Sequence, residues 1–235
     1  MTARASLLPA TPATRWAVRA MVAMILMCAV YLVLVYPTLP WLLPVRFRGN
    51  GMPIGWQYRT LPRVLMPVFV QTALAVTFGA ISMLLLSRSH SRQEPEASEV
   101  QAAGVAAEAV AFIAFIWVAF QTYAAFALVT MWKLEHGGLG PWYTYLQLAG
   151  LTLTGIVMAR AHARLGRPTP RPFVAAHWRL GQLYRNPDDP ALFVPTRDGT
   201  RWTLNFGRPI AAALLGLVIA IGIIGPTVIL GLALR

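Results

Sequence analysis

Five uncharged, largely apolar runs constrain this chain more than any other feature. They cover 20–36, 64–86, 109–132, 140–159 and 209–234, and nearly all charged residues lie in the short stretches between them. A helix needs roughly 20 apolar residues to cross the hydrocarbon core of a bilayer. Backbone groups in lipid must be satisfied within the segment, which runs of this length achieve as helices. The sequence therefore predicts an all-α integral membrane protein with about five transmembrane helices.

Composition supports a membrane class. Only 12% of the 235 residues are charged, whereas soluble domains are about a quarter charged, and this balance excludes disorder, collagen and a disulfide scaffold. The single cysteine, Cys28, excludes an intramolecular disulfide. The basic residues before the first run resemble a signal peptide, but the run is too long and no cleavage site follows Tyr36. We expect it to be retained as the first helix.

Charge predicts the topology. The chain carries 20 basic and 8 acidic residues, and the basic ones are concentrated in alternate connecting segments, which places the N-terminus in the cytoplasm and the C-terminus outside. The predicted organisation is an N-terminal tail 1–19, a first helical hairpin 20–86 with a Pro-rich outer loop 37–63, a flexible cytoplasmic linker 87–108, a second helical hairpin 109–159, a basic cytoplasmic module 160–208 and a last transmembrane helix 209–235.

The outer loop is rich in proline and glycine. Pro37, Pro40, Pro44 and Pro53 block a continuous helix, so the loop is expected to be structured but not helical. Two interpretations remain open: a membrane-interface anchor, or an outward recognition surface. In the second, aromatic side chains supply apolar contact and arginines engage anionic groups. The candidate residues are Trp41, Arg46, Phe47, Arg48 and Trp56.

The basic module is predicted to contain a β-hairpin. Strands over 191–194 and 200–206 flank the turn former Asp198–Gly199. Within the second strand, Trp202, Leu204 and Phe206 alternate with Thr203 and Asn205, which predicts that the first three form the buried face. The positive charge of the module suits an anionic inner leaflet, and no nucleic-acid partner is expected.

The sequence has little that indicates catalysis. It has no nucleotide-binding or serine-hydrolase motif, and its four histidines lie in separate loops without metal-site spacing. Asp188 and Asp189 are a paired carboxylate that could bind a divalent cation or act in acid–base catalysis, but Asn-Pro-Asp-Asp-Pro is typical of a turn. We predict no enzyme, no cofactor and no metal, and keep Asp188, Asp189 and Trp202 as candidate partner contacts.

Three polar residues lie in or next to the predicted spans. Glu108 is a functional candidate because ionisable residues are costly in a membrane, yet 24 uncharged residues follow it, which is enough to span without it. We therefore favour a position at the cytoplasmic interface. Gln71 and Gln121 are expected to make interhelical hydrogen bonds, with a polar transport path as the alternative.

Two stretches carry a family resemblance. Tyr36-Pro37-x-Leu39-Pro40-x-x-Leu43-Pro44-x-x-Phe47, followed by Gly51 and Trp56, resembles the signature of an uncharacterised bacterial multi-pass membrane family that includes the SdpI-type immunity proteins. Tyr184-x-Asn186-Pro187-Asp188-Asp189-Pro190, with Val194-Pro195, Gly199 and the 202–206 stretch, is similar to an uncharacterised module often found at the C-terminus of such proteins.

The resemblance implies a bacterial cytoplasmic-membrane protein. Some relatives protect their host from a secreted peptide toxin, and such an immunity protein can also sequester a repressor at the membrane. The family's usual histidine before the Phe is Arg46 here, and its usual lysine after the Trp is Arg59. A metal or proton role of that histidine therefore does not transfer.

Together these features predict a non-enzymatic membrane protein that binds or senses a partner: a peptide toxin at the outer loop or a cytoplasmic regulator at the basic module. The alternatives are a small transporter component that uses Gln71, Glu108 and Gln121, or a structural subunit of a membrane complex.

Overall fold

The computed structural model describes residues 5–48, 50–89, 94–135 and 137–219. Within these ranges the chain is mostly helical and adds four small antiparallel two-stranded sheets. The helices are α1 Pro12–Val35, α2 Leu61–Val64, α3 Met66–Leu85, α4 Ala97–Leu134, α5 Pro141–Arg164 and α6 Pro209–Ile219.

The strands pair as four separate sheets. Their bounds are β1 Ala5–Leu7 with β4 Ser87–Ser89, β2 Leu42–Phe47 with β3 Pro53–Tyr58, β5 Trp178–Arg179 with β6 Leu183–Tyr184, and β7 Phe193–Pro195 with β8 Trp202–Leu204.

Among the described residues, three helices are long and apolar enough to cross a membrane: α1 with the turn that follows it, α3 and α4. Three of the five predicted spans are therefore found as candidate spanning helices. Helix α5 has sufficient length, but its tyrosines, threonines and Gln147 lower its apolar character. Of the last predicted span, only the short apolar helix α6 lies within the described residues, and 220–234 lies outside them.

The start of α1 is determined by local chemistry. Thr11 is the N-cap, and its hydroxyl accepts a hydrogen bond from the Thr14 N–H at 3.1 Å. Pro12 occupies the first helical position, where its missing N–H costs nothing. The helix therefore begins inside the stretch 1–19 that was predicted to be a tail, and β1 also lies there.

The outer loop folds as a hairpin. As expected it contains no long helix, but β2 and β3 pair over most of it, with register shifts near Arg46. The chain thus keeps backbone pairing despite its prolines, because the irregular register accommodates them.

The predicted flexible linker 87–108 contains a short strand and the first part of a helix. Residues 87–89 form β4, and α4 begins at Ala97. The stretch 97–107 is rich in alanine, a strong helix former, which outweighs its polar residues.

The chain divides into two compact units. Unit 1 comprises 1–10, 81–107 and 162–235, and unit 2 comprises 11–80 and 108–161. In unit 2, α1, α4 and the hairpin region share an apolar core; its buried residues are Cys28, Leu32, Leu39, Leu43, Val64, Ala125, Val129 and Trp132.

Unit 1 has a smaller apolar centre. Leu8, Leu86, Ala103 and Ala107 form it, and Phe193 packs against it. Buried polar side chains occupy much of the remaining interior of this unit; they are Ser82, Ser87, Arg88, Glu99, Asn205 and Arg208.

Candidate ligand-binding site in unit 1

Asn205 organises the segment that contains the predicted Asp pair. Its side chain is completely buried. The Asn205 Oδ1 accepts from the backbone N–H groups of Asn186 at 3.0 Å and Gly207 at 2.9 Å, while Nδ2 donates to the carbonyls of Asn186, Asp189 and Ala191 at 2.8–3.3 Å. One amide thereby satisfies backbone groups that no sheet pairs, which holds the 186–191 turn against the end of β8.

The burial of Asn205 contradicts the prediction that Trp202, Leu204 and Phe206 form the buried face of the strand. Alternation through β8 assigned Asn205 to the exposed side, yet it is buried while Trp202 is only half-buried. The strand ends at Leu204, so the two-residue period no longer governs Asn205. The hairpin itself is confirmed: β7 and β8 are antiparallel, and Gly199 in the turn has φ +68°.

Asp188 and Asp189 lie in the turn that their sequence predicts. The Asn186 carboxamide oxygen accepts from the Asp188 N–H at 3.0 Å, and Asp189 Oδ1 accepts from the Ala191 N–H at 2.9 Å. The two carboxylates nevertheless differ. Asp188 is exposed, whereas Asp189 is mostly buried and its Oδ2 accepts from the Tyr184 hydroxyl at 3.1 Å.

Arg171 joins this turn to the stretch that precedes α4. Its Nη1 donates to Asp189 Oδ2 and its Nη2 donates to Glu96 Oε1, both at 3.0 Å. Burial alone would lower the pKa of Arg171, but the carboxylates of Asp189 and Glu96 outweigh it and raise that pKa. The guanidinium therefore stays charged and bridges two carboxylates that are distant in sequence.

A second ion pair is buried more deeply. Arg88 Nε donates to Glu99 Oε1 at 3.1 Å, and both side chains are over nine-tenths buried. The other carboxylate oxygen, Glu99 Oε2, is buried without a hydrogen-bond partner. Glu99 precedes the apolar run of α4 that begins at Ala109. Burial raises the pKa of the Glu99 carboxyl, and Arg88 counteracts that rise only in part.

Arg208 completes the buried polar interior. Its Nη1 donates to the carbonyls of Ser87 at 3.2 Å and Pro190 at 2.7 Å. Burial lowers the pKa of this guanidinium. Arg208 thus connects the end of the Asp turn to β4, and its two acceptors are separated by about a hundred residues in sequence.

These side chains surround a cavity of about 290 Å³, the charged cavity. Its lining residues are Arg88, Glu94, Glu96, Glu99, Arg171, Asn186, Asp188, Asp189 and Pro190. Five of the eight acidic residues of the whole chain are among them, with two arginines. The formal charge of the lining is therefore −3 in a chain whose net charge is +12.

A second cavity of about 380 Å³ shares Glu96 and Arg171 with the first. We call it the aromatic cavity because Phe173, Trp178 and Tyr184 line it. The Phe173 and Trp178 rings stack at 6.4 Å between centroids, and Trp178 meets Tyr184 edge-on at 5.4 Å. Among the described residues, no three His, Cys, Asp or Glu side chains are placed to hold a metal ion.

Trp202, which was a candidate partner contact, makes hydrogen bonds within the chain. Its indole N–H is shared between the carbonyls of Leu165 at 3.3 Å and Gly166 at 3.2 Å, so it fixes the chain that leaves α5. Of the candidate contacts in the basic module, only Asp188 and Asp189 line the charged cavity.

The outer-loop candidates all lie in unit 2. Trp41 is 68% exposed and Trp56 is 49% exposed. Arg46 and Arg48 are exposed near the hairpin turn, whereas Phe47 is half-buried and lies where a side chain on Gly137 would collide with its ring. The hairpin thus presents the predicted aromatic and basic groups, except Phe47, at its surface.

Arg59 anchors this hairpin, a role that the sequence did not suggest. Its Nη1 donates to the carbonyls of Tyr36, Pro37 and Leu39 at 2.6–3.1 Å. Its guanidinium also lies over the Tyr36 ring at 4.7 Å and the Trp41 ring at 5.9 Å. The side chain therefore closes the turn that follows α1.

The intramembrane polar candidates do not form one group. Gln71 is buried, and its Nε2 donates to Thr122 Oγ1 at 2.7 Å and to the Val118 carbonyl at 3.3 Å, which is an interhelical contact as expected. Glu108 is buried and accepts from the Thr11 hydroxyl at 2.7 Å. Gln121 is half-buried on α4.

The sequence missed most of the charged cavity. It singled out the Asp pair, but not Arg171, Glu96, Arg88 or Glu99, because these residues are ordinary members of polar connecting segments. The available signal was the charge count: few acidic residues in a basic chain, five of them in two short stretches, 94–99 and 188–189.

The comparisons with known proteins give one finding. A family described as "Family of unknown function (DUF5808)" matches residues 187–211, which include the Asp pair, Asn205 and Arg208. The match covers 25 of 235 residues. No curated protein and no solved structure matches the chain significantly.

Proposed function

We propose that this chain is a non-enzymatic membrane protein that binds or senses a ligand, and that the charged cavity of unit 1 is its ligand site. The observation that carries this proposal is the gathering of five of the chain's eight acidic residues around one cavity. Like charges that share a cavity repel one another, so the arrangement favours a site that attracts a cation over a purely structural one.

The polar groups of the cavity support this assignment. Arg171 and Arg88 neutralise part of the negative charge, but no ion pair within the described residues involves Glu94 or Asp188. Glu99 is 3% exposed and its Oε2 accepts no hydrogen bond. A buried carboxylate oxygen without a donor is costly, and a cationic donor in the cavity would reduce that cost.

The size of the cavity suggests the class of ligand. About 290 Å³ exceeds the volume of a bare ion and lies near the lower end of small-molecule sites. We therefore assign the site to a small organic cation that carries one or two primary ammonium groups. Each ammonium group offers three N–H donors to carboxylate oxygens.

The test is calorimetric titration of the full-length protein in detergent with putrescine at constant ionic strength. We expect saturable binding that weakens about fivefold or more in Asp188→Asn, because a charge-assisted hydrogen bond is lost. Asp198→Asn is the matched control, since Asp198 is equally an exposed turn carboxylate of unit 1 but lies outside the charged cavity. Equal effects of the two variants, or no saturable binding, would contradict the proposal.

A second candidate function is recognition of a peptide toxin by the β2–β3 hairpin, which the resemblance to SdpI-type immunity proteins suggests. It is favoured by the exposure of Trp41, Trp56, Arg46 and Arg48 on one small element. Toxin survival of cells that express Trp41→Ala with Arg46→Gln, at unchanged protein level, tests it. Full protection by the variant would exclude this function.

For topology, we propose five spans in a bacterial cytoplasmic membrane with the N-terminus inside, which adds α5 and the chain from 209 onward to the three candidate helices. Single cysteines at Arg48 and Thr196 in Cys28→Ala, labelled with an impermeant thiol reagent on spheroplasts, test this arrangement. We expect labelling at position 48 only. Labelling at 196 alone would invert the topology and remove the toxin hypothesis.

A transporter component is less well supported. Gln71 contacts α4 at Val118 and Thr122, whereas Glu108 lies ten or more residues earlier, about 15 Å away along the helix axis. Gln71 and Glu108 therefore do not form a continuous polar path. A structural subunit of a larger complex remains the other alternative, and co-purification with a partner at fixed stoichiometry would identify it.

A further inference from the structure

The hairpin formed by β5 and β6 has an unusual tip. Leu180 is 92% exposed, and its φ of +51° places it in the left-handed region. Gly181 follows with φ +75°, and the Gln182 N–H donates to the Arg179 carbonyl at 3.2 Å to close the turn. Such turns favour Asn–Gly or Gly–Gly, so a leucine here is unfavourable for the backbone and contributes almost no packing within the chain.

The surroundings of the tip are basic and apolar. Arg179 and Arg185 are exposed on either side of the hairpin, and no acidic residue occurs between Arg164 and Asp188. Leu183 beside the tip, together with Phe173 and Val174 nearby in sequence, is also exposed. The tip therefore combines exposed apolar side chains with two exposed arginines.

The other hairpin of unit 1 provides a contrast. Its tip, Asp198–Gly199, is polar and satisfied within the turn, because the Asp198 carboxylate accepts from Thr196 Oγ1 at 2.5 Å and from the Thr200 N–H at 3.2 Å. Asp198 lines one cavity with Gly181 and Gln182, but its negative charge is disfavoured at an anionic surface, so the suited contact is confined to Leu180 and the two flanking arginines. The apolar tip is thus not a general property of hairpins in this unit.

We propose that the β5–β6 tip docks on the anionic headgroup surface of the bilayer that holds the chain. Leu180 inserts at the interface, and Arg179 and Arg185 lie against lipid phosphates. Charge complementarity selects this occupant, since basic residues near an anionic leaflet are each stabilised by its surface potential and an apolar side chain gains by leaving water. This docking is independent of ligand binding in the charged cavity.

The test uses the full-length protein in nanodiscs. Gln182→Cys in a Cys28→Ala background, labelled with the environment-sensitive fluorophore NBD, reports on the tip while leaving Leu180 intact. In discs with 30% phosphatidylglycerol we expect at least about twofold higher fluorescence than in pure phosphatidylcholine, and quenching by spin-labelled lipid. A label at Asp188→Cys is the control, because Asp188 is an exposed turn residue of unit 1 that does not line the cavity beside the tip, and it should remain water-exposed in both lipids.

Leu180→Asn separates docking from folding. Asparagine tolerates the left-handed conformation better than leucine, so this variant keeps the turn but should lose the phosphatidylglycerol-dependent signal. Arg179→Gln with Arg185→Gln should reduce that signal at least twofold. Equal fluorescence in the two lipids, an unchanged signal in Leu180→Asn, or a signal that depends on the number of copies per disc would overturn the proposal; the last result would indicate self-association.

Discussion

The interiors of the two units differ in what holds them together. The core of unit 2 is built almost entirely from apolar side chains of α1, α4 and the hairpin region. Unit 1 buries Arg88, Glu99, Asn205 and Arg208 around a small apolar centre. An apolar core depends on volume and tolerates exchange among similar side chains, whereas a buried polar network depends on each partner. Unit 1 should therefore be far more sensitive to single polar substitutions.

The largest expected effect is at Asn205. Asn205→Leu removes the acceptor of two backbone N–H groups and the donor to three carbonyls. Each buried unsatisfied group costs about 1–3 kcal/mol, so we expect a loss of about 4 kcal/mol in unit 1, measured by hydrogen exchange of its β7–β8 peptides.

The matched change in unit 2 is Gln71→Leu. Gln71 Oε1 already lacks a partner, and Thr122 retains its hydrogen bond to the Val118 carbonyl. We expect a loss of no more than about 1 kcal/mol. Comparable effects of the two substitutions would show that the interiors do not differ in the way described.

A pair of glycines extends the comparison. A Cβ on Gly207 would lie 2.6 Å from the backbone nitrogens of Asn186 and Pro187, whereas on Gly137 it would lie 2.6 Å from the Phe47 ring. Backbone cannot move aside as a side chain can, so we expect Gly207→Ala to cost about 3 kcal/mol and Gly137→Ala about 1–2 kcal/mol. Thermal unfolding in detergent measures both, and Gly79→Ala, with open space, is the control.

A polar residue also matters in unit 2, at the edge of its core. Arg59→Lys keeps the charge but loses the planar group that meets three carbonyls and stacks on Tyr36 and Trp41. We expect a loss of about 1–2 kcal/mol, with local exposure of the hairpin seen by faster proteolysis between Trp41 and Tyr58. Unchanged proteolysis would mean that Arg59 does not anchor the hairpin.

The smallest predicted effect concerns pH. Burial raises the pKa of Glu99 above its ordinary value of 4.5, so the folded state binds more protons than the unfolded state just above that value. The contribution of Glu99 is therefore complete below pH 4.5 and is lost as the pH rises through the folded pKa.

Between about pH 7 and about pH 5, the Tm of the wild type should rise relative to that of Glu99→Gln, which cannot titrate. Asp198→Asn is the control: the Asp198 pKa is lowered to about 2 by hydrogen bonds from Thr196 and Thr200, so it does not titrate in this range. A wild-type Tm that falls relative to that of Glu99→Gln as the pH is lowered would contradict a raised pKa of Glu99.

The difference between the units also explains what the sequence could predict. Helices α1, α3 and α4 follow from apolar runs, because length and composition alone decide whether such a segment is a spanning helix. The β7–β8 hairpin follows from the Asp198–Gly199 turn, whose chemistry is local. These features need no knowledge of which distant residues meet.

The rest of unit 1 depends on contacts that are distant in sequence. Glu96 and Asp189 meet through Arg171, although they are separated by about ninety residues, and no periodic pattern encodes such a meeting. Asn205 was assigned to the wrong face because alternation was extended past the end of β8. The β5–β6 hairpin was missed because its strands are two residues long and its turn contains Leu180 instead of a usual turn former.

The most direct test of the proposed ligand site is hydrogen–deuterium exchange of the full-length protein with and without saturating putrescine. We predict slower exchange confined to peptides that cover 94–101 and 186–191, the two stretches that bring the carboxylates to the charged cavity. No protection in these peptides, or uniform protection across both units, would contradict the assignment of this cavity as a cation site.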